Sequence, residues 1–159
     1  RCYSLNQILF SPTYVGCTVS ENFKSYSYFY EWCQAQKGFN NPGWQLDKDI
    51  LVKGNKIYHE DLCVFVPSQI NSLLVNCKAS RGLYPIGVSK ETNVNLYSAR
   101  LSINGKLKRI GLFHSPEEAF LAYKVAKEFH IKELAIAYQK DIDIRTYNAL
   151  MSYLVEIGD

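Results

Sequence analysis

The chain has 159 residues, 47% of them hydrophobic, enough for one ordinary core or two small ones. A net charge of +3 is too small to mark a nucleic-acid-binding protein by itself, so such a role would have to rest on local clustering of basic residues. The absence of an apolar run near twenty residues and of a signal-peptide pattern argues against a membrane span or secretion. The five cysteines, at 2, 17, 33, 63 and 77, are odd in number and widely spaced, with no C-x-x-C pair. They read as reduced thiols of a cytosol rather than as a disulfide frame or a zinc site.

In chain order, residues 1–11 are a short helical or irregular start and 12–19 read as a strand. Ser20 is an N-cap for a helix over 21–37, with Phe23, Tyr26, Phe29, Tyr30 and Cys33 on one face and Gly38 ending it. Those aromatics read as core; base stacking is the alternative, and it requires exposure. Residues 40–43 form a loop. In 44–71, WQLDKDILVKGNKIYHEDLCVFVPSQIN, an apolar strand bearing Asp47 leads through a Lys53–Lys56 loop to a second strand or turn. A helix then starts near Pro67.

A carboxylate on the first strand and an amide, Asn71, on the helix have the layout of a ββα one-metal nuclease site. Asp47 and Asn71 offer hard oxygen ligands for Mg2+. Asp49, two residues on, would share a side of the strand with Asp47 and complete a two-carboxylate metal site. The competing reading of 47–49 is a charged, structural strand end. His59 is the only histidine near this site and reads either as a substitute base or as a solvent-exposed loop residue. Residues 72–83 carry Lys78 and Arg81 and no acid, as a linker tracking phosphates or an ordinary solvated loop would.

The C-terminal half centres on the hairpin 97–113, YSARLSINGKLKRIGLF. Asn104-Gly105 predicts a type I′ turn, which needs positive φ at both central residues. The register that follows pairs Ile103 with Lys106, Leu101 with Lys108, Ala99 with Ile110 and Tyr97 with Leu112. On the opposite face it pairs Ser102 with Leu107, Ser98 with Gly111, and Arg100 with Arg109. Two facing cations are unfavourable without an anion over them, and residues 92–116 contain no acid. The pattern reads as a sheet to be covered by a polyanion. A third strand is expected at 86–90. Ser115-Pro116-Glu117-Glu118 is a capping box opening a helix with Ala119, Ala122, Ala126 and Phe129 as its buried stripe. Its continuation over 127–138 turns Ile131, Leu134 and Ala135 inward. A last helix, capped by Asp141 or Asp143, is expected to run to Ile157 with Ile144, Tyr147, Leu150, Met151 and Leu154 as its stripe.

Several of these motifs resemble known families. Gly87-Val88, Tyr97-x-Ala99-Arg100-Leu101, Asn104-Gly105-Lys106, Ile110-Gly111-x-Phe113 and Ser115-Pro116-Glu117-Glu118-Ala119-x-x-Ala122-Tyr123 resemble the ethylene-response-factor (Apetala-type) DNA-binding domain over 84–137. That resemblance implies a three-stranded sheet laid in the major groove and backed by one helix, with contacts from Ser89, Arg100, Ser102 and Arg109. Leu107 stands where the family has a polar contact. Leu46–Ile50 with Asp61-Leu62 and Pro67-Ser68-Gln69-x-Asn71 resemble an HNH motif. The succession of the two, with Arg1-Cys2-Tyr3, Gly54-Asn55-Lys56, Phe65-Val66-Pro67 and Ile70-Asn71, is similar to bacteriophage homing-type endonucleases. The resemblance implies catalytic positions at Asp47, Lys48, His59 and Asn71 and a metal set of Asp47, Asp49 and Asn71. Lys48, however, occupies the place of the general-base histidine, and a lysine already protonated at neutral pH accepts no proton from water.

The expected protein is therefore α+β. A degenerate HNH-like ββα module (1–78) is followed by a linker (79–83) and then an Apetala-type domain with a helical tail (84–159). The expected function is binding of double-stranded DNA in the cytoplasm of a phage-infected bacterium. Arg100 and Arg109 would lie at the groove, with Lys78, Arg81, Lys90, Lys106 and Lys108 on phosphates. Two alternatives stand beside it. One is a working Mg2+-dependent endonuclease; the other is a former nuclease that binds a host protein, such as an inhibitor of a host enzyme.

Overall fold

A computed structural model of the chain describes residues 14–74 and 82–159; the expected features at 1–13, together with Lys78 and Arg81, lie outside the described residues. The fold is α+β. It divides into two compact units: the described residues up to Asn71 with Tyr138–Ala149, and those from Ser72 to Ala137 with Leu150–Asp159. From sequence a single boundary is expected at 79–83, with 138–149 belonging to the C-terminal domain. Polar ties that periodicity does not reveal place that segment in the first unit. The Lys37 ammonium donates to the carbonyls of Lys140 (2.6 Å) and Ile142 (2.9 Å), and the Tyr138 hydroxyl donates to Gln69 Oε1 (3.1 Å).

In the first unit, β1 (Thr18–Val19) runs parallel to β3 (Ile57–Tyr58), and β2 (Trp44–Asp47) runs antiparallel to β4 (Val64–Pro67). The helix expected over 21–37 is shorter. Ser20 Oγ accepts from Phe23 N and opens a 3-10 turn at Asn22–Lys24, after which Ser25 caps α1 (Tyr26–Ala35). The interruption at Ser25 resets the helical phase. Phe23 and Cys33 are buried, but Tyr26 and Tyr30 leave the core and stack on each other at 6.2 Å. Trp32 joins the ring cluster instead, 4.8 Å from Phe23. All four residues of β4 are buried, and α2 (Ser68–Leu74) follows it directly. Strand, loop, strand and helix thus appear in the expected ββα order.

In the second unit, β5 (Val88–Lys90), β6 (Tyr97–Ile103) and β7 (Lys106–Phe113) form an antiparallel sheet in the order β5-β6-β7, with α3 (Pro116–Ala137) packed on it. Asn104 and Gly105 adopt φ values of 52° and 73°, as the type I′ turn requires. From the turn outward the pairing is as expected as far as Arg100 opposite Arg109. An irregularity between Ala99 and Arg100 then shifts it, so that Ala99 pairs with Gly111, Ser98 with Leu112 and Tyr97 with Phe113. Ile110 is the residue without a pair. A bulge of this kind inserts one residue and breaks the strict two-residue alternation on which the predicted register rested.

Ala99, Leu101, Ala119, Phe120, Tyr123 and Val155 form the core of this unit. Ser115 Oγ accepts from Glu118 N (3.1 Å) and Glu118 Oε2 from His114 N (3.2 Å), as a capping box should. The buried stripe of α3 is Ala119, Phe120, Tyr123, Lys127, Ile131 and Ala135. Phe129, assigned to that stripe from its spacing, is 64% exposed, whereas Ala122 and Ala126 pack at the core's edge. The last helix, α4 (Ile144–Met151), is shorter than expected, and Ile144 and Leu154 are exposed. Beyond it, Val155 is clamped onto α3: its carbonyl accepts from Lys124 Nζ (2.6 Å) and its N–H donates to Glu128 Oε1 (2.8 Å). That backbone clamp, rather than a continued helix, fixes the end of the chain.

Candidate functional site

Alternation along β6 turns Ala99 and Leu101 toward α3 and leaves Ser98, Arg100 and Ser102 on the far face of the sheet. Their partners Leu112, Arg109 and Leu107 join that face from β7, and Ser89 joins it from β5. The predicted contacts Ser89, Arg100, Ser102 and Arg109 are thus brought together. Lys106 and Lys108 pair with Ile103 and Leu101, and Lys90 with Tyr97, so these lysines belong to the opposite, helix-covered face and reach solvent at the strand edges.

The anion missing from 92–116 is supplied from one residue before that stretch. Glu91 Oε1 lies 2.5 Å from Arg100 Nη2 and 3.9 Å from Arg109 Nη2. Hydrogen bonds from Ser98 and Arg100, with the two guanidinium charges, hold the Glu91 carboxyl below the usual glutamate range. Ser98 is fully buried beneath this group, its hydroxyl 2.9 Å from that of Ser89. The expectation of a bare cation pair awaiting a polyanion is therefore corrected: the pair carries an internal counter-ion. The two arginines are not equivalent. Arg100 is 34% exposed and directly hydrogen-bonded, while Arg109 is 55% exposed and held only at ion-pair distance. Leu107 and Leu112, 65% and 43% exposed, complete the face.

In the ββα module the expected residues are placed otherwise. β2 ends at Asp47, so alternation along a strand does not extend to Asp49. Asp47 Oδ1 accepts from the N–H groups of Asp49 and Ile50, both at 2.8 Å, closing a turn immediately after the strand. Burial first, and the neighbouring Asp49 charge second, push the Asp47 carboxyl up to about 6. Lys48 donates to Asp49 at 3.2 Å and stands over the Tyr58 ring. The Asn71 amide donates to Gln45 Oε1 (2.5 Å), and His59 Nδ1 accepts from Asp61 N (3.2 Å) within its own turn. Gln45, unnoticed in the sequence, is the partner of Asn71 because it lies two residues before Asp47 on the same strand. Among the described residues no three or more His, Cys, Asp or Glu side chains cluster as a metal site would need. In the set Asp47, Asp49 and Asn71, Asp47 accepts from the N–H groups of its turn through Oδ1 and Asn71 donates to Gln45 through its amide nitrogen, so these bonds do not use the Asn71 oxygen. An open cleft of about 660 Å³ lies beside this set, with Phe29, Gln45, Tyr58 and Asn71 in its walls.

Among the described residues no helix is long and apolar enough to cross a membrane. Comparison of the chain with protein-family models, with curated proteins and with solved structures finds no match.

Proposed function

We propose that this protein binds double-stranded DNA through the outer face of the β5–β7 sheet. On this reading it is related to phage homing endonucleases of the HNH-plus-Apetala kind, works in the cytoplasm of the infected bacterium, and has a nuclease module whose activity is weak or lost. The observation that carries the reading is Arg100 directly opposite Arg109 on the exposed face of a three-stranded sheet whose other face is filled by a helix.

A phosphate oxygen or the O6/N7 edge of guanine offers an arginine the same acceptor geometry as a carboxylate. DNA would compete with Glu91 for Arg109, the more exposed and less tightly held of the two. Arg100, tied to Glu91, acts as the positioning residue. The small side chains of Ser89 and Ser102 leave room for a duplex; Lys90, Lys106 and Lys108, which belong to the helix-covered face, would reach flanking phosphates only around the edge of the sheet. Against catalysis stand a lysine, Lys48, where the resemblance puts the general-base histidine, and the use of Asp47 Oδ1 in its own turn.

A second reading, a factor that binds a host protein, draws on the same face. Internal neutralisation by Glu91 beside exposed Leu107 and Leu112 gives a mixed polar and apolar surface of the kind protein interfaces use.

The deciding experiment is binding of a labelled duplex across a salt series, with Mg2+ present and cleavage followed on the same samples. Salt-sensitive binding without cutting is expected, with Arg109→Ala weakening specific binding by about 1–3 kcal/mol. Unchanged affinity in Arg109→Ala, or no binding at low salt, would overturn the reading and favour the protein partner. Cutting abolished by Asp47→Ala would restore the endonuclease.

A further inference from the structure

The outward face of α3 carries large apolar side chains: Leu121, Val125 and Phe129 are 59%, 67% and 64% exposed. Together with Ile110 and Phe113 of β7 they line an open groove of about 730 Å³. We infer that this face is a self-association surface, on which a second copy of the chain lays its own α3 antiparallel about a twofold axis through Val125.

The argument is the arrangement of residues about Val125. Leu121 lies four residues before it and Phe129 four after; Glu118 lies seven before and Lys132 seven after. Offsets of four and seven return to one helical face, so all five form a single stripe about 21 Å long. A twofold axis at Val125 that reverses the helix direction sets Val125 against its counterpart and Leu121 against the second copy's Phe129. Glu118 then faces the second copy's Lys132 at both ends. The apolar centre and oppositely charged ends thus complement a reversed copy of themselves, as an isologous interface requires. Glu117 and Glu133, eight residues to either side of Val125, fall on opposite flanks of the helix and stay apart in the pair. An unrelated partner would have to present the same order of acid, apolar and basic groups in reverse; this chain already carries it. The Phe129 left out of the core finds its place here, in the groove beside Ile110.

The test is sedimentation velocity of the full chain over a concentration series, with folding followed by circular dichroism. A monomer–dimer equilibrium is expected for the wild type. Val125→Glu, a change at an exposed position, should weaken association about a hundredfold or more by setting two carboxylates against each other on the axis. Lys132→Glu and Glu118→Lys should each associate poorly alone and form a heterodimer when mixed, because both ends then pair opposite charges. Glu118 also caps the helix, so the far-ultraviolet spectrum and melting of that variant are read first, with Lys132→Glu carrying the test if it unfolds. A wild type that stays monomeric at every concentration would overturn the inference and leave the face to another protein. A dimer indifferent to Val125→Glu would equally overturn it.

Discussion

Glu91 Oε1 lies 2.5 Å from the guanidinium of Arg100, closing over a pair of arginines that the sheet register sets face to face. Without this carboxylate the two cations would repel each other across the strands. Glu91→Gln should therefore lower the melting temperature, and adding a polyanion such as duplex DNA should raise it more in the variant than in the wild type. The Glu91 pKa is depressed by Ser98, Arg100 and Arg109, so its stabilisation is present above the ordinary glutamate range and is lost as pH falls through the lowered value. Melting temperatures measured across acid pH, with and without duplex, check both. An unchanged melting temperature in Glu91→Gln would mean that the arginines do not depend on this counter-ion.

Asp47 behaves in the opposite sense. Its folded pKa is raised to about 6 from 3.8, chiefly by burial, so the native state favours the protonated acid. The cost of ionising it is absent below the unfolded value, grows as pH rises between the two, and is complete above the folded one. Asp47→Asn keeps the Oδ1 acceptor for Asp49 N and Ile50 N while removing the charge. Stability at neutral pH should rise by about 1–3 kcal/mol, with little change at pH near 4. Denaturant unfolding at the two pH values measures this; an equal effect at both would count against the assignment.

Gly87 joins backbone strain to a close approach. Its φ is 75°, and a Cβ placed there would fall inside the ring of Tyr123, the residue that brings α3 onto the sheet. Its carbonyl also accepts from Arg100 N at 2.8 Å. Gly87→Ala should cost about 3 kcal/mol or more and loosen the sheet from the helix, unlike Gly82→Ala, where the space is open. Comparison of the two unfolding curves is the check.

Cys63 is fully buried, and burial first of all pushes its thiol up to about 12. Almost no thiolate forms at neutral pH, and reagent access is closed. Mass-spectrometric mapping after brief alkylation of the native protein should find Cys63 unmodified, and denaturant should expose it. Alkylation at equal rates in the two states would show a more open first unit than the one described.

Local chemistry was legible in the sequence wherever one or two residues decide the backbone. Asn104-Gly105 determined the turn and the first four strand pairs, Ser115-Pro116-Glu117-Glu118 determined the start of α3, and Asp143, whose Oδ1 accepts from Arg145 N (2.7 Å), marked the start of α4. The order of strands and helices, and with it the α+β class, followed from apolar runs and these punctuation marks. What the sequence could not decide is whatever depends on phase or on partners distant along the chain. One unpaired residue, Ile110, shifts the register past Arg100, and a cap at Ser25 resets the phase of the aromatic stripe. Tertiary contacts then select Tyr123 and Lys127 over Phe129 as the inner face of α3. Charges obey the same limit: Glu91 reaches Arg109 from eighteen residues away, and Gln45 reaches Asn71 across the chain from β2 to α2. Short-range steric and hydrogen-bonding preferences belong to the residues themselves, but a counter-ion or a hydrogen-bond partner exists only once strands and helices are packed.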